Sequence, residues 1–345
     1  MVRGAIIGLG NVALHGHLPG WRGRRDVELA AATDAQGRRR LELAQYLPGA
    51  RWFDAAADLL AAPGLAFVDI CTPPSSHAPL IRSALERGLH VLCEKPLVGS
   101  LGELATLARL AAARGLVLHT VHNWHHAPIV DRVARLIRDG QIGRVTRMVW
   151  HTLRTQPALA RDAYPANWRV DPGVAGGGVL TDHGWHVSYV LRRWIGALPT
   201  AVSARLETRR HTQWPVEDTA TLRLAFPGAT AEVLLTWAAD ARGNWAEVTG
   251  TAGRIELRDD TLVLQGDAGE RRFSCPPALS QGSQHPDWFG PVAEEFLARV
   301  RGETASRANL DEAALCLALE SQARESSRRD GAELPLSVPG LDGIA

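Results

Sequence analysis

One short run of the chain, GGGVLTDHGWH over residues 176–186, concentrates groups capable of chemistry: three glycines, then Asp182, His183 and His186. Glycine amides can cradle a phosphate, an Asp with two His can hold a metal, and a carboxylate beside an imidazole can move a proton. A lysine stands upstream in Cys93-Glu94-Lys95-Pro96-Leu97, where Pro96 restricts Lys95 to an extended or turn conformation. A third group is Gly8-Leu9-Gly10-Asn11-Val12-Ala13, which follows an apolar run. It reads G-x-G-x-x-A, a variant of the dinucleotide fingerprint. Gly8 would make the tight turn, Gly10 would let backbone approach a pyrophosphate, and Ala13 would let the helix pack on the strand. The helix start, with Asn11 and Val12, offers free N–H groups and a positive dipole end.

Asp34 follows about 20 residues on, at the end of a second strand, where a carboxylate takes the adenosine ribose hydroxyls. A 2′-phosphate about 4 Å away would meet about 4 kcal/mol of repulsion at an effective dielectric of 20, and about 1 in water. NAD is therefore expected in preference to NADP. NADP is possible if Arg38, Arg39 and Arg40 turn toward the ribose instead of forming a solvated helix face.

Helical phase sorts the first cluster. On a helix over 182–195, Val187, Val190, Leu191, Trp194 and Ile195 form one apolar stripe that must face the core. His183, four residues before Val187, leans toward that stripe and is expected to be structural. Asp182 and His186 share another face and can project together into a cleft. The chain has 13 His, and His122, His125 and His126 could join Asp182 and His186 around a metal. No HExxH or Cys/His zinc spacing is present, so no metal is expected. The cysteines (Cys71, Cys93, Cys275, Cys316) are widely spaced and read as small buried residues.

The elements that must position these groups fall into two kinds. Up to Val121, apolar runs (VRGAIIG, VELAAAT, FVDICT, HVLCE, LVLHTV) alternate with helical stretches. That order predicts a Rossmann-type, doubly wound parallel sheet over 1–121. Over 122–345, seven strand-like runs from VTRMVWHTLRT to TLVLQG predict an α/β domain on a large open, mostly antiparallel sheet. Helices 128–139, 182–195, 291–301 and 310–328 are expected on one face. A second copy is expected on the other, as a homodimer or homotetramer. A length of 345 residues suits two domains. A net charge of +1 and the absence of a membrane-length apolar run point away from nucleic acid and membrane partners. An N-terminus entering a strand at once suggests a cytoplasmic location.

Taken together, the glycine turn, CTPPSSHA, CEKPLVGS, NWRVDPGVAGGGVLTDHGWH and VEDTA resemble the Gfo/Idh/MocA oxidoreductases. The resemblance covers essentially the whole chain, including NLDEAALCLALESQARES near the end. It implies a Rossmann domain joined to an open-sheet α/β domain. It also implies NAD(P)-dependent oxidation or reduction of one hydroxyl carbon of a sugar, inositol or related polyol. By the same resemblance, Lys95 contacts substrate and nicotinamide and shares in proton transfer, His186 is the acid/base, and Asp182 binds or orients substrate. Thr72, Pro73, His77 and Glu94 would line the cofactor.

The chemistry suits those types: hydride loss from a carbinol sends the hydroxyl proton to a base, and Lys95 can stabilise the alkoxide. His125, in His122-Asn123-Trp124-His125-His126-Ala127-Pro128, stands where many family members carry Arg. This argues against a strongly anionic substrate at that point. Asn123, Trp124, His125, Trp168 and Arg169 are expected against the substrate, with aromatic faces suiting the apolar side of a sugar ring. Two rival readings are an NAD-using glycosidase on the same scaffold and a non-catalytic, nucleotide-bound sensor. The intact Lys95, Asp182 and His186 argue against the sensor.

Overall fold

The computed structural model describes residues 1–159, 167–267, 269–282, 284–338 and 340. Six short strands, β1 (Val2–Ile7), β2 (Val27–Thr33), β3 (Arg51–Trp52), β4 (Phe67–Ile70), β5 (His90–Cys93) and β6 (Leu118–Thr120), form the first sheet. Their order is β3-β2-β1-β4-β5-β6, and every pairing is parallel. The chain runs outward from β1 in both directions, so a crevice opens between the carboxyl ends of β1 and β4, where open α/β sheets bind ligands. β4 is buried along its whole length, as a strand covered on both faces must be. β3 has two residues, too few to show any periodicity.

The second sheet has nine strands: β7 (Val145–Leu153), β8 (Ala201–Glu207), β9 (Thr219–Phe226), β10 (Ala229–Thr236), β11 (Gly243–Gly250), β12 (Gly253–Arg258), β13 (Thr261–Gly266), β14 (Gly269–Ser274) and β15 (Leu334–Pro335). The order is β14-β13-β12-β11-β7-β10-β9-β8-β15, antiparallel except for the β7–β10 pair. β14 was not expected, because Gly269-Glu270-Arg271-Arg272-Phe273-Ser274 is mostly exposed and lacks apolar alternation.

The helices Pro128–Arg138, Trp185–Ile195 and Ala308–Arg328 lie on the inner face of this sheet, enclosing Trp150, Trp194, Trp237 and Tyr189. The helix Pro286–Val300 does not join them, contrary to expectation. It covers the parallel sheet, where Phe289, Val292, Ala293, Phe296 and Leu297 meet Ile6, Leu9, Leu14 and Phe67. Its apolar stripe fixes which side is buried but not which sheet it meets. A groove at Gly20 decides, since a Cβ there would lie 2.6 Å from Phe289. The outer face of the large sheet is less apolar than its strand-rich sequence suggests. Arg147 lies 3.4 Å from Glu232 and 3.6 Å from Glu247, and farther along β7 His151 stands between half-buried Leu234 and Trp245. Among the described residues, no helix is long and apolar enough to cross a membrane.

Candidate active site

The glycine turn is built as its sequence requires. Gly8 has φ +92°, and a Cβ on it would stand 2.9 Å from the backbone of Cys71, just past β4. Nothing lies within 4 Å of a Cβ built on Gly10, so the chain is open there to a ligand. Leu14 N–H donates to the Gly10 carbonyl at 3.0 Å, leaving the amides of the preceding turn, including Asn11 and Val12, outside the helical ladder. This open glycine cradle fits a dinucleotide pyrophosphate.

Asp34 turns into the same loop. It accepts hydrogen bonds from the N–H groups of Leu9 (2.6 Å) and Gln36 (2.7 Å). Arg39 is not on a solvated face. It is 6% exposed, donates to the Leu9 carbonyl, and places its Nε 3.5 Å from Asp34. The carboxylate and the turn carbonyl supply the acceptors that draw it inward. Arg38 bonds Gln36 at the surface.

Two loops carry the next residues. His77 is fully buried, with Nδ1 2.7 Å from the Pro96 carbonyl and Nε2 2.8 Å from that of Thr72. Burial lowers its pKa, so a neutral ring donates to one carbonyl at a time and ties the two loops together. It positions Thr72, which lines the cleft, and does not line it itself. Pro73 opens the short turn Pro74–Ser76. The Lys95–Pro96 peptide is cis. Glu94 accepts from Lys95 N–H at 2.9 Å and meets His17 Nε2 at 3.0 Å.

His17 also meets Asp69 at 2.9 Å, and Trp21 donates to Asp69 at 2.8 Å. Burial alone would lower the His17 pKa, but Asp69 and Cys71 outweigh it and hold it well above the usual value. Sequence reading missed this pair. The available signal was Asp69 itself, a charge inside the buried strand FVDI, which must have a partner.

The run that held the first candidates is now resolved. Gly177 and Gly178 are close-approach residues. A Cβ on Gly178 would lie 2.0 Å from the Glu217 carbonyl oxygen, and one on Gly177 would collide with Arg324. The amides of Gly178 and Leu180 already donate to the Glu217 carboxylate at 3.1 and 3.3 Å, so they do not cradle phosphate. Residues Leu180–Gly184 form a π-turn before the α-helix Trp185–Ile195. Asp182, His183 and His186 all face one cleft. His183 was expected toward the core. The π-turn advances the chain by a smaller angle per residue than an α-helix does, and so rotates His183 away from the Val187 stripe. Its Nε2 lies 3.5 Å from Asp182 Oδ2.

Lys95 Nζ donates to the Asp182 carbonyl at 2.7 Å and to Asp182 Oδ1 at 2.9 Å, joining the two halves of the chain. Burial would raise the Asp182 pKa, but Lys95, His183 and Arg169 hold the carboxyl well below the usual range. Burial, and then the charge of Lys95, push His186 well below 6.5. Its ring stacks on Trp124 (4.6 Å, 7°), and its Nδ1 lies 2.8 Å from the Tyr189 hydroxyl, which accepts from Trp124 N–H.

The cleft lies between the two sheets, and Val12, Thr72, Glu94, Asn123, Trp168 and Arg169 also line it. Arg169 stacks on Trp168 at 4.3 Å. His125 does not line the cleft. It meets Glu312 at 2.9 Å, as His122 does at 3.1 Å, and the five-residue metal convergence does not form. Arg154 and Arg242 line the cleft unforeseen. Each borders a strand and lacked any motif to mark it.

Residues 2–122 match the family described as "Oxidoreductase family, NAD-binding Rossmann fold", and residues 130–256 match the GFO/IDH/MocA C-terminal domain. A D-apiose dehydrogenase of Paraburkholderia graminis is 28% identical, over 98% of this chain and 92% of that protein. A levoglucosan dehydrogenase of Pseudarthrobacter phenanthrenivorans is 29% identical over 61% of each. Among solved structures, an apo levoglucosan dehydrogenase superimposes with TM-score 0.84 at 20% identity, over 98% of this chain and 99% of that one. An aldose-aldose oxidoreductase from Caulobacter crescentus complexed with glycerol gives 0.83 at 23%, over 97% and 99%. Matched along both of its halves, with the glycine cradle and the Lys95–Asp182–His186 cleft in place, the chain belongs to the Gfo/Idh/MocA family of NAD(P)-dependent oxidoreductases.

Proposed function

We propose that the chain transfers a hydride between nicotinamide and a carbinol carbon of a sugar, inositol or related polyol, with Lys95, Asp182 and His186 as its catalytic groups. The observation that carries this is the convergence of a cation, a carboxylate and a neutral imidazole in one cleft beside the glycine cradle. Bound at Gly8–Val12, with Asp34 at the ribose and Thr72 and Glu94 along the crevice, NAD(P) supplies the hydride chemistry.

The protein's own groups handle the proton. The His186 tautomer that serves as the base carries its proton on Nδ1, toward Tyr189, and presents a lone pair on Nε2 to the substrate hydroxyl. Lys95, fixed on Asp182, stabilises the oxygen as the proton leaves. Trp124 and Trp168 offer apolar faces, and Asn123 and Arg169 offer polar contacts. The names of the relatives, D-apiose, levoglucosan and D-xylose 1-dehydrogenases, support a sugar substrate. NAD is the preferred cofactor, on the carboxylate of Asp34. Arg39 beside it reduces the repulsion a 2′-phosphate would meet and keeps NADP usable. The enzyme acts in the cytoplasm as a homodimer or homotetramer through the outer face of the large sheet.

The test is a panel of free and nucleotide-linked sugars and polyols, followed by NAD(P)H absorbance with each cofactor. At least one substrate should give steady turnover, with the higher kcat/KM for NAD. Glycoside cleavage without accumulation of NADH would replace this reading with the glycosidase one.

A further inference from the structure

The cleft holds more positive charge than its own chemistry uses. Arg154 follows β7 and Arg242 precedes β11, neighbouring strands in which Leu153 pairs with Gly243. The two guanidiniums therefore stand at one rim of the large sheet, and Arg169 reaches the same cleft from the turn Trp168–Val170. Among the described residues, all of their hydrogen bonds go to neutral acceptors. Arg154 donates to the carbonyls of Leu153 (2.8 Å) and Gly243 (3.0 Å) and to Asn244 Oδ1 (2.9 Å). Arg242 donates to the carbonyls of Ser280 and Gly282, and Arg169 to that of Ala158. Among the described residues, no carboxylate lies within 4.0 Å of any of the three. The Nε atoms of Arg154 and Arg169 are buried without a partner.

Of the acids within electrostatic reach, Asp182 is bound by Lys95 and Glu94 by His17, while Asp259, which accepts from the Asn244 backbone amide, offsets part of the charge of Arg154 and Arg242 from beyond 4.0 Å. The surplus shows in the neighbours. Burial, with Arg242 close by, lowers Arg154 to about 10. Burial, opposed by Asp182 but reinforced by Arg154, Lys95 and Arg242, takes His183 to about 3. A guanidinium that is 3% exposed and has no carboxylate beside it, as Arg154 is, burdens the folded state unless something supplies its counter-charge. The hydroxyls of a neutral polyol cannot do so, whereas a carboxylate or phosphate matches the guanidinium fork.

We propose that the substrate carries an oxyanion, a carboxylate or phosphate on the sugar or polyol, and that this group binds at the sheet rim formed by Arg154 and Arg242. The inference rests on the dehydrogenase reading and narrows its substrate class. His125 has no bearing on it, since that residue lies on Glu312 outside the cleft.

The experiment compares matched sets on the full-length protein: D-glucose, D-glucuronate and D-glucose 6-phosphate; D-galactose, D-galacturonate and D-galactose 6-phosphate; and myo-inositol with its 1-phosphate. Binding is read by calorimetry with NADH present, and turnover by NADH formation. An acid or phosphate should bind at least tenfold tighter than its neutral counterpart, with the advantage shrinking as salt rises, and Arg242→Gln should erase most of it. The uronate and phosphate arms separate the two sources of the anion. Equal or tighter binding of the neutral member in every set overturns the proposal. So does an Arg242→Gln variant that loses affinity for NADH while discrimination is unchanged, because the guanidinium then serves the cofactor. Absence of turnover by all members bears on the dehydrogenase reading alone, since the binding comparison stands without it.

Discussion

The contact between Lys95 and Asp182 can be taken apart in a double-mutant cycle. At 2.9 Å the pair attracts by about 6 kcal/mol at an effective dielectric of 20 and about 1.4 in bulk water. Its side chains are 15% and 20% exposed, which places the net worth between those limits. Lys95→Met leaves the Asp182 carboxylate in the cleft without its cation. We expect a loss of about 2–4 kcal/mol, the scale of a broken, mostly buried pair. That is a fall in Tm of several degrees. Asp182→Asn alone strands Lys95 and costs less, because the carbonyl of residue 182 still accepts from Nζ. The double variant removes both charges and should recover part of the loss, giving a coupling energy of about 1–3 kcal/mol. Turnover should not follow stability. Lys95→Met and the double variant should lose at least about 10² in kcat, because neither has a cation at the reacting oxygen, whereas Asp182→Asn keeps Lys95 and should lose less. Thermal unfolding by circular dichroism gives the stabilities, and steady-state kinetics on the best panel substrate gives the rates. Additive stability losses would refute the ion-pair reading. A Lys95→Met enzyme with near wild-type kcat would refute the catalytic one.

Other outcomes follow from single residues. His186→Ala should lower kcat by about 10²–10⁴ with NAD affinity retained, as titration of protein fluorescence would report; unchanged turnover removes His186 from the mechanism. Gly8→Ala places a Cβ 2.9 Å from the Cys71 backbone at φ +92° and should weaken NAD binding at least tenfold by calorimetry; intact binding would mean the turn tolerates a side chain. His183 should make the fold acid-sensitive. Its folded pKa of about 3 lies below the usual 6.5, so between those values the unfolded chain binds the extra proton and stability falls as pH falls. The slope is at most about 1.4 kcal/mol per pH unit. Urea unfolding at pH 4 to 6 should show a shallower slope for His183→Gln than for the parent, and equal slopes would contradict the cause.

What the sequence made legible depended on how local the determining physics was. Gly8, Gly10 and Asp34 could be placed because a strand, a turn and a helix in immediate succession fix where they stand. Lys95 followed from motif resemblance, and Asp182 and His186 from resemblance and from their i,i+4 spacing. The misplacements share one cause, a partner distant in sequence. Arg39 turns inward because the Leu9 carbonyl and Asp34 supply acceptors about 30 and 5 residues away. His125 leaves the cleft because Glu312 waits on the helix Ala308–Arg328. The helix Pro286–Val300 chooses the parallel sheet because Gly20 leaves room for Phe289.

His183 is the instructive exception, since its error was local. An ideal α-helix through 182–195 sends it to the core, and a single π-turn returns it to the cleft. Such a turn gives up regular i→i+4 hydrogen bonding, so a sequence retains one where the side chain it redirects is needed. Here it brings a neutral imidazole within 3.5 Å of the carboxylate that holds Lys95. The same turn lets Gly184 sit against Leu180 and Leu235, where a Cβ would lie 2.9 Å from the first. Replacing Gly184 by Ala should therefore push on the π-turn itself. The expected signature is a loss in kcat larger than the change in KM, with His183 and Asp182 both chemically intact. A variant that instead loses only stability, at unchanged kcat, would show that the turn serves packing and not the site.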